Sequence, residues 1–298
     1  MSGLEIVVKD LIKVYRIGKI EVQALRGLAM NVENGELVSI IGPSGSGKTT
    51  LLNIIGGLDK ATAGLVRIGE TEVTALPDSR LVEIRRRTVG HIFQTLNLVP
   101  TLTALENVEL PMVLAGLAGG ERRKRVQYLL DVVGLSERAG HKPDELSGGE
   151  QQRVSIAAAL ANDPPVILAD EPTGELDSMN AKLITEFLVK VNKELGKTIV
   201  MVTHDPNVAR AGDRILRIED GVIKARMEPT HIAEEASSVT IVDTLRTRIM
   251  NINAQLEKLD DAFRSRMMDG DAYVEQRQRL KETGKILEEE LHRMGVTT

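Results

Sequence analysis

The sequence predicts an α/β fold in which short buried strands of one sheet alternate with helices. Three observations predict it. Four brief apolar runs rich in β-branched residues, Leu37–Ile41, Val166–Ala169, Thr198–Val202 and Arg214–Ile218, have the composition and length of buried strands. Helix-length segments separate them, as in strand–helix–strand units. A glycine-led stretch, "GPSGSGKT" from Gly42 to Thr49, follows the first run and opens the helical pattern "TTLLNIIGGL".

Composition narrows the function classes. The 298 residues suffice for one large domain plus an appendage, or for two small domains. Hydrophobic residues at 42% and charged residues at 27% are ordinary globular proportions, and aromatics at 2% leave an aliphatic core. A net charge of -5 and the lack of a basic stripe argue against an electrostatic grip on nucleic acid. The chain has no cysteine, which removes disulfides, thiolate metal sites and cysteine nucleophiles and fits a reducing cytosol. Its start, "MSGLEIVVKDLIK", mixes acidic with apolar residues and does not read as a secretory signal. No window approaches the roughly 18 to 20 apolar residues of a membrane-spanning helix, so any membrane role is expected to come through partner subunits.

The alternation runs from Leu4 to about Lys224. Between Thr101 and Glu145 the strand signal disappears, and "TALENVELPMVLAG" and "ERRKRVQYLLDVVGL" read as an inserted helical subdomain, broken by Pro111 and by Gly119-Gly120. Asp220-Gly221 is a hairpin signal. The polar stretch after it, within 228–240, reads as a linker. Beyond it Val242, Leu245, Ile249, Ile252, Leu256, Leu259 and Phe263 form a heptad seam. After a turn at "MDGD", Tyr273, Leu280, Leu287, Leu291 and Met294 continue a similar seam, weakened where Arg277 and Gly284 fall on it. The expected organisation is therefore a main domain over 1–227, a linker over 228–240 and an antiparallel helical hairpin over 241–298. Ten Lys and Arg against eleven Asp and Glu in the hairpin make it a solvated face, either a packing element or a docking and dimerising arm.

Residues 42–49 fit G-x-x-x-x-G-K-[ST] in the strand–loop–helix context that the motif needs. Gly42, Ser44, Gly45, Ser46 and Gly47 line the loop, and Gly45 and Gly47 let backbone N–H groups approach phosphate oxygens with no Cβ in the way. Lys48 is expected to reach the β- and γ-phosphates of a nucleotide, and the Thr49 hydroxyl, followed by Thr50, to ligate Mg²⁺. "VILADE" ends an apolar strand in Asp170, a second Mg²⁺ ligand at the carboxyl edge of the sheet. Glu171 then stands where it would polarise an attacking water. A second glycine-led helix start, "LSGGEQQR" from Leu146 to Arg153, lies about a hundred residues after the first. Its bare glycines present N–H donors and a helix dipole suited to another anion.

This order of motifs resembles the nucleotide-binding subunit of an ATP-binding cassette (ABC) transporter, over roughly Leu4 to Met227. The resemblance implies a P-loop NTPase (RecA-like) core with an N-terminal antiparallel β subdomain and the inserted helical subdomain. It implies two subunits packed head to tail around two ATP molecules, with Ser147, Gly148, Gly149 and Glu150 of one closing over the γ-phosphate held by Lys48 of the other. Tyr15, ahead of Val22, resembles the aromatic that stacks on adenine. Gln94 resembles the loop glutamine that senses Mg²⁺ and water, Asp177 in "TGELDS" the acidic residue of the dimer contact, and His204 in "VTHDP" the switch histidine that contacts the γ-phosphate and orients Glu171.

Residues 83–112 and 203–224 are most similar to the subgroup of lipoprotein-release, macrolide-export and cell-division ATPases. The resemblance implies an ATPase on the cytoplasmic face of the membrane, driving separately encoded permease subunits. Two other readings stay open at this point: a regulatory scaffold that dimerises on ATP but turns over slowly, and a soluble ABC ATPase outside transport.

Overall fold

Two long strands open the chain, β1 (Ile6–Ile17) and β2 (Ile20–Val32), paired antiparallel. They belong to the computed structural model described here, which covers residues 2–18, 20–174 and 176–227 and, beyond these, the helical positions 252, 256, 259, 273, 277, 278, 280 and 281. After β3 (Leu37–Ile41) and α1 (Lys48–Ile55) the chain returns through β4 (Ala63–Ile68) and β5 (Thr71–Glu72) to complete a first, antiparallel sheet of order β2-β1-β4-β5. On β2, Leu25, Leu28, Met30 and Val32 are buried while their neighbours Arg26, Ala29 and Asn31 are more open, a pattern that buries one face of the sheet.

The second sheet forms around β3. After α2 (Asp78–Glu83) and a wide helical turn at Ile84–Thr88 come β6 (Val89–Ile92), α3 (Ala104–Leu114), α4 (Gly119–Val132) and α5 (Gly148–Ala159). These are followed by β7 (Val166–Asp170), α6 (Ser178–Leu195), β8 (Thr198–Val202), α7 (Pro206–Ala209), β9 (Arg214–Glu219) and β10 (Val222–Met227). Sheet order is β10-β9-β3-β8-β7-β6, with all pairs parallel except the antiparallel β9–β10 hairpin at the edge. The four predicted apolar runs are β3, β7, β8 and β9. β6 is the one parallel strand of this sheet that the apolar runs pass over: it has four residues and a glycine in the middle. That glycine has a tertiary reason, since a Cβ on Gly90 would run into the Ala159 carbonyl and Pro164.

Two cores follow from this layering. In the first, α1 touches strands of both sheets, and Leu51, Leu52, Ile54 and Ile55 are all at most 2% exposed. A helix apolar on several sides is what a position between two layers requires, and full burial of each such side chain contributes about 1.5–3 kcal/mol. The second core lies beneath α3, α4, α5 and α6, where Val108, Met112, Leu130, Val154 and Ile184 pack with Ile167 and Met201 of the sheet. The antiparallel subdomain, the P-loop core and the inserted helices expected from the sequence are therefore all present.

The helical insert corrects one expectation. Pro111 does not break α3, which continues to Leu114. A capping box starts this helix, with the Thr103 side chain accepting from Glu106 N and the Glu106 carboxylate accepting from Thr103 N at 2.8 Å. Buried Ala104, Asn107, Val108 and Met112 then hold it down on both sides of the proline, so packing offsets the one ladder bond that proline removes. Gly119-Gly120 likewise opens α4 and does not interrupt a helix; the break lies earlier, at Gly116, with φ of +78°.

The chain divides into two units, Met1–Thr230 and His231–Thr298. The expected linker over 228–240 and most of the expected hairpin over 241–298 lie outside the described residues. Of the proposed seams, Ile252, Leu256, Leu259, Tyr273 and Leu280 are helical, with Leu259 8% exposed. The Arg277 guanidinium, which breaks the apolar pattern, lies 5.9 Å from the centre of the Tyr273 ring, a cation–π pair one turn apart.

Candidate functional site

Four loops meet at one edge of the second sheet because four parallel strands end there. β3 leads into Gly42, β7 ends on Asp170, β8 leads to His204, and β6 leads to Gln94. The register aligns them: Asp170 pairs with Val202, and Ile40 with the same Val202 from the other side. Parallel sheets gather ligands at this carboxyl edge.

The loop from Gly42 to Thr49 is shaped by its neighbours as much as by its own glycines. Gly47, the residue before α1, has φ of +99°, and a Cβ there would stand 2.5 Å from the Ala24 carbonyl. Ala24 sits where the β1–β2 register shifts, so an irregularity in the first sheet presses a carbonyl against the loop. Gly45 has φ of +77° and nothing within 4 Å of where its Cβ would be, which leaves its backbone open to an approaching anion. Gly42 is boxed in by Ile218 of β9, and Gly221 N donates to the Ser46 carbonyl at 3.2 Å. The hairpin predicted at Asp220-Gly221 thus braces the loop from the side. Ser44, Gly45 and Thr49 are exposed, Thr50 is half-buried, and Ser46 is buried with an Oγ that has no hydrogen-bond partner among the described residues. Lys48 Nζ donates to the carbonyls of Gly42 at 2.8 Å and Pro43 at 2.9 Å. Burial lowers its pKa, against the pull of the Glu171 and Asp170 carboxylates.

Across the sheet edge, the Asp170 side chain at the end of β7 lies near that of Thr49 at the start of α1. Burial raises the Asp170 pKa and the adjacent Glu171 adds to it, while Thr49 and Lys48 oppose. Its Oδ1 is buried without a partner among the described residues. Glu171 takes a left-handed φ of +47°, with its N–H donating to the Val202 carbonyl at 3.0 Å. A non-glycine residue there is uncommon, and the sharp turn points its carboxylate at the end of β8. Glu171 Oε2 lies 2.7 Å from His204 Nδ1 and accepts from His204 N at 3.3 Å. That bond is the main cause of the raised His204 pKa. The structure therefore brings Lys48, Thr49, Asp170, Glu171 and His204 into one cluster.

Ser147 and its followers stand apart on the helical lobe. Ser147 caps α5: its side chain accepts from Glu150 N, and its own N and Oγ donate to Glu150 Oε2, each at 2.8 Å. The bond from Ser147 N holds the Glu150 carboxyl below the usual range. Gly148 is exposed and unobstructed, whereas Gly149 is buried because Asn180 of α6 fills the place of a Cβ, 2.8 Å away. Asn180 in turn donates to Asp177 at 2.6 Å, and Asp177 caps α6. The second glycine start and the loop bearing Asp177 are thus braced against each other. Among the described residues no hydrogen bond or ion pair joins Ser147–Glu150 to Gly42–Thr49.

Tyr15 faces Val22 across the β1–β2 ladder, with Val22 48% exposed. Gln94 is exposed two residues beyond β6, at the same edge as Asp170, and no hydrogen bond links it to Asp170 or Thr49 among the described residues. Sequence reasoning missed Asp59 and Lys13, which hold Tyr15, and Asn180. Lys13 and Tyr15 stand two apart on a strand and so share a face, a legible hint; the carboxylate that meets them lies more than forty residues away.

A phosphate loop after β3, with a carboxylate pair at the end of β7 on the same sheet edge, defines a P-loop nucleoside triphosphatase. The model of the ABC transporter family matches residues 25–174. The chain belongs to that family as an ATP-binding domain, and it is an ATPase. It is similar to the ABC transporter ATP-binding protein MJ0796 of Methanocaldococcus jannaschii, 53% identical over 220 residues that cover 72% of this chain and 94% of that protein. A counterpart in Thermotoga maritima is 53% identical over 215 residues, 72% of this chain and 92% of that one. The macrolide export ATP-binding/permease protein MacB of Bradyrhizobium diazoefficiens is 47% identical over 226 residues, 76% of this chain but 34% of its own length. Such relatives agree with the subgroup that residues 83–112 resemble. The fold is similar to a dimeric post-hydrolysis structure of the cassette MJ0796 bound to ADP and Pi, with a TM-score of 0.71 at 50% identity, covering 75% of this chain and 98% of that one.

Proposed function

We propose that two copies of this chain close head to tail over two ATP molecules with Mg²⁺ and drive separately encoded permease subunits of an export or force-transmitting complex. The observation that carries this is the separation of two anion-suited helix starts. Gly42–Thr49 lies on the sheet and Ser147–Glu150 on the helical lobe, and neither completes the other within one chain. A second copy supplies the missing half of each site, and the dimeric cassettes of the similar protein MJ0796 support that arrangement.

Mg²⁺ fits the residues present. The orphaned Oδ1 of Asp170 beside the Thr49 side chain offers hard oxygen donors. Among the described residues no group of three or more His, Cys, Asp or Glu is arranged to hold a metal, so phosphate oxygens would complete the shell. When bound, the ion neutralises charge on the terminal phosphates. Lys48 shifts from the Gly42 and Pro43 carbonyls to those phosphates. Glu171 accepts the proton of the attacking water, and His204 holds the Glu171 carboxylate in place. Tyr15, beside Val22, offers its ring to the adenine, Gln94 approaches the attacking water from its loop, and Asp177 meets the partner copy.

The permease is expected near Gln94 and the helical lobe, and on that lobe a groove lined by Leu105, Glu106, Glu109, Arg122 and Gln127 opens. No helix among the described residues is long and apolar enough to cross a membrane. In MacB, a protein named for both activities, this chain matches about the ATP-binding third. On this proposal the ATPase passes work to a membrane subunit from the cytoplasmic face.

Light scattering tests the composite site. The Glu171→Gln protein is expected to change from a 32.6 kDa monomer to twice that mass on adding MgATP. Adding Ser147→Arg is expected to abolish the change while ATP still binds. A mass unaffected by MgATP, or a dimer indifferent to Ser147→Arg, defeats the head-to-tail reading.

A further inference from the structure

Tyr15 is fixed at both its hydroxyl and one ring face, by groups that the catalytic cluster does not use. Its hydroxyl donates to Asp59 Oδ2 at 2.6 Å. The other carboxylate oxygen accepts from Lys13 Nζ at 2.6 Å and from Lys60 N at 2.7 Å. Lys13 Nζ also donates to the Lys60 carbonyl at 2.7 Å and lies 4.6 Å from the centre of the Tyr15 ring. Burial raises the Tyr15 pKa and the Asp59 carboxylate adds to it. Burial alone would raise Asp59 as well, but the bonds from Lys13, Tyr15 and Lys60 outweigh it and hold that carboxyl low. These are charge-assisted bonds at short distance, the strong kind.

The location matters more than the strength. Asp59 follows α1, the helix that begins at Lys48, and the bond from Asp59 N to the Asn53 carbonyl at 3.1 Å ties its turn to the end of that helix. The side chain of Thr50, in the first turn of α1, lies near the same tyrosine and opposes the rise in its pKa. A ring carried by the first sheet is therefore clamped to the helix that presents the phosphate loop. We infer that Asp59, with Lys13, is a positioning residue for nucleotide binding: it sets the Tyr15 ring at a fixed place relative to the phosphate loop, so that base and phosphates are grasped together by a ring already ordered. This rests on the reading of Tyr15 as the platform for the base.

Two ligands separate the possibilities: ADP, which has a base, and inorganic tripolyphosphate, which has none. Binding of each to the full chain is measured by calorimetry for the parent, Asp59→Asn, Tyr15→Phe, Tyr15→Ala and the double variant Tyr15→Ala/Asp59→Asn. Freeing one side chain that must be reordered on binding is expected to weaken ADP by about two- to tenfold in Asp59→Asn and in Tyr15→Phe. Tripolyphosphate affinity is expected to stay unchanged in both. Tyr15→Ala weakens ADP further, and Asp59→Asn adds nothing in that background. Tyr15→Phe cuts the same bond from the other end and keeps the test open if Asp59→Asn does not fold.

If Tyr15→Ala weakens ADP while Asp59→Asn and Tyr15→Phe do not, Asp59 is no positioning residue. If Asp59→Asn weakens both ligands alike, or still weakens ADP without the ring, it acts on the phosphate loop and the inference is overturned. If Tyr15→Ala leaves ADP affinity untouched, the platform reading itself fails.

Discussion

Replacing Glu171 by Gln isolates the chemistry at the sheet edge. The two side chains have the same shape, the left-handed backbone at Glu171 is unchanged, and the N–H bond to the Val202 carbonyl survives. What is lost is the charge that lies 2.7 Å from His204 Nδ1 and that, in the proposed function, accepts a proton from water. Removing a positioned general base costs about 10²–10⁴ in rate, which is about 3–5 kcal/mol of barrier. Phosphate release at saturating MgATP is expected to fall by that factor.

The same substitution acts on His204. Its pKa is raised first by the bond to Glu171, so protonated His204 favours the folded state. That contribution is fully present below the ordinary histidine pKa of about 6.5 and is lost as pH rises through the folded value. In Glu171→Gln the His204 titration, followed by NMR, is expected to move down. The reasoning is refuted if turnover stays within tenfold of the parent protein, or if the His204 midpoint does not move.

Other substitutions probe the supports. His91 stacks on Phe93 with ring centres 5.2 Å apart, and burial lowers its pKa to about 4. The unfolded chain then binds the extra proton between about pH 6.5 and 4, so stability falls as pH drops through that window, by up to about 3 kcal/mol; urea titrations of His91→Phe should lack this slope, and an unchanged slope assigns the loss elsewhere. Gly47→Ala must hold a positive φ with its Cβ against the Ala24 carbonyl, an expected loss of at least about 1 kcal/mol in chemical denaturation together with weakened nucleotide binding. Arg214 grips Glu36 at 2.8 and 3.0 Å and the Asn31 carbonyl at 2.6 Å. Arg214→Met is expected to cost about 1–3 kcal/mol in denaturant titrations, with ATP affinity nearly unchanged; parent-like stability would show the fork to be ornamental.

Much was legible from the chain alone, for reasons local to it. Short apolar runs rich in β-branched residues and separated by helix-length segments read as buried strands, which makes β3, β7, β8 and β9 legible. Gly42–Thr49 and the pair Asp170-Glu171 announce themselves because strand, loop and helix are consecutive and the chemistry needs adjacent residues. Leu146 to Arg153 reads as a helix start from its paired glycines, and the Ser147–Glu150 cap that begins α5 is equally local. Pro111 reads as a break because propensity is local, whereas the burial of Val108 and Met112 that carries α3 through it is not. Gly149 reads as a phosphate contact by resemblance, and Asn180, thirty-one residues on, also forbids a side chain there.

Tertiary structure decided what lies between distant residues. Strand order makes β7 and β8 neighbours and so delivers His204 to Glu171. An irregularity at Ala24 determines why Gly47 must be glycine. A turn beyond α1 brings Asp59 to Tyr15. The physical reason is one of range: periodicity, capping and loop chemistry are set by residues within a few positions, so a sequence displays them. Which carbonyl or carboxylate arrives at a site depends on which layers bury their apolar faces together, and only the packed molecule settles that.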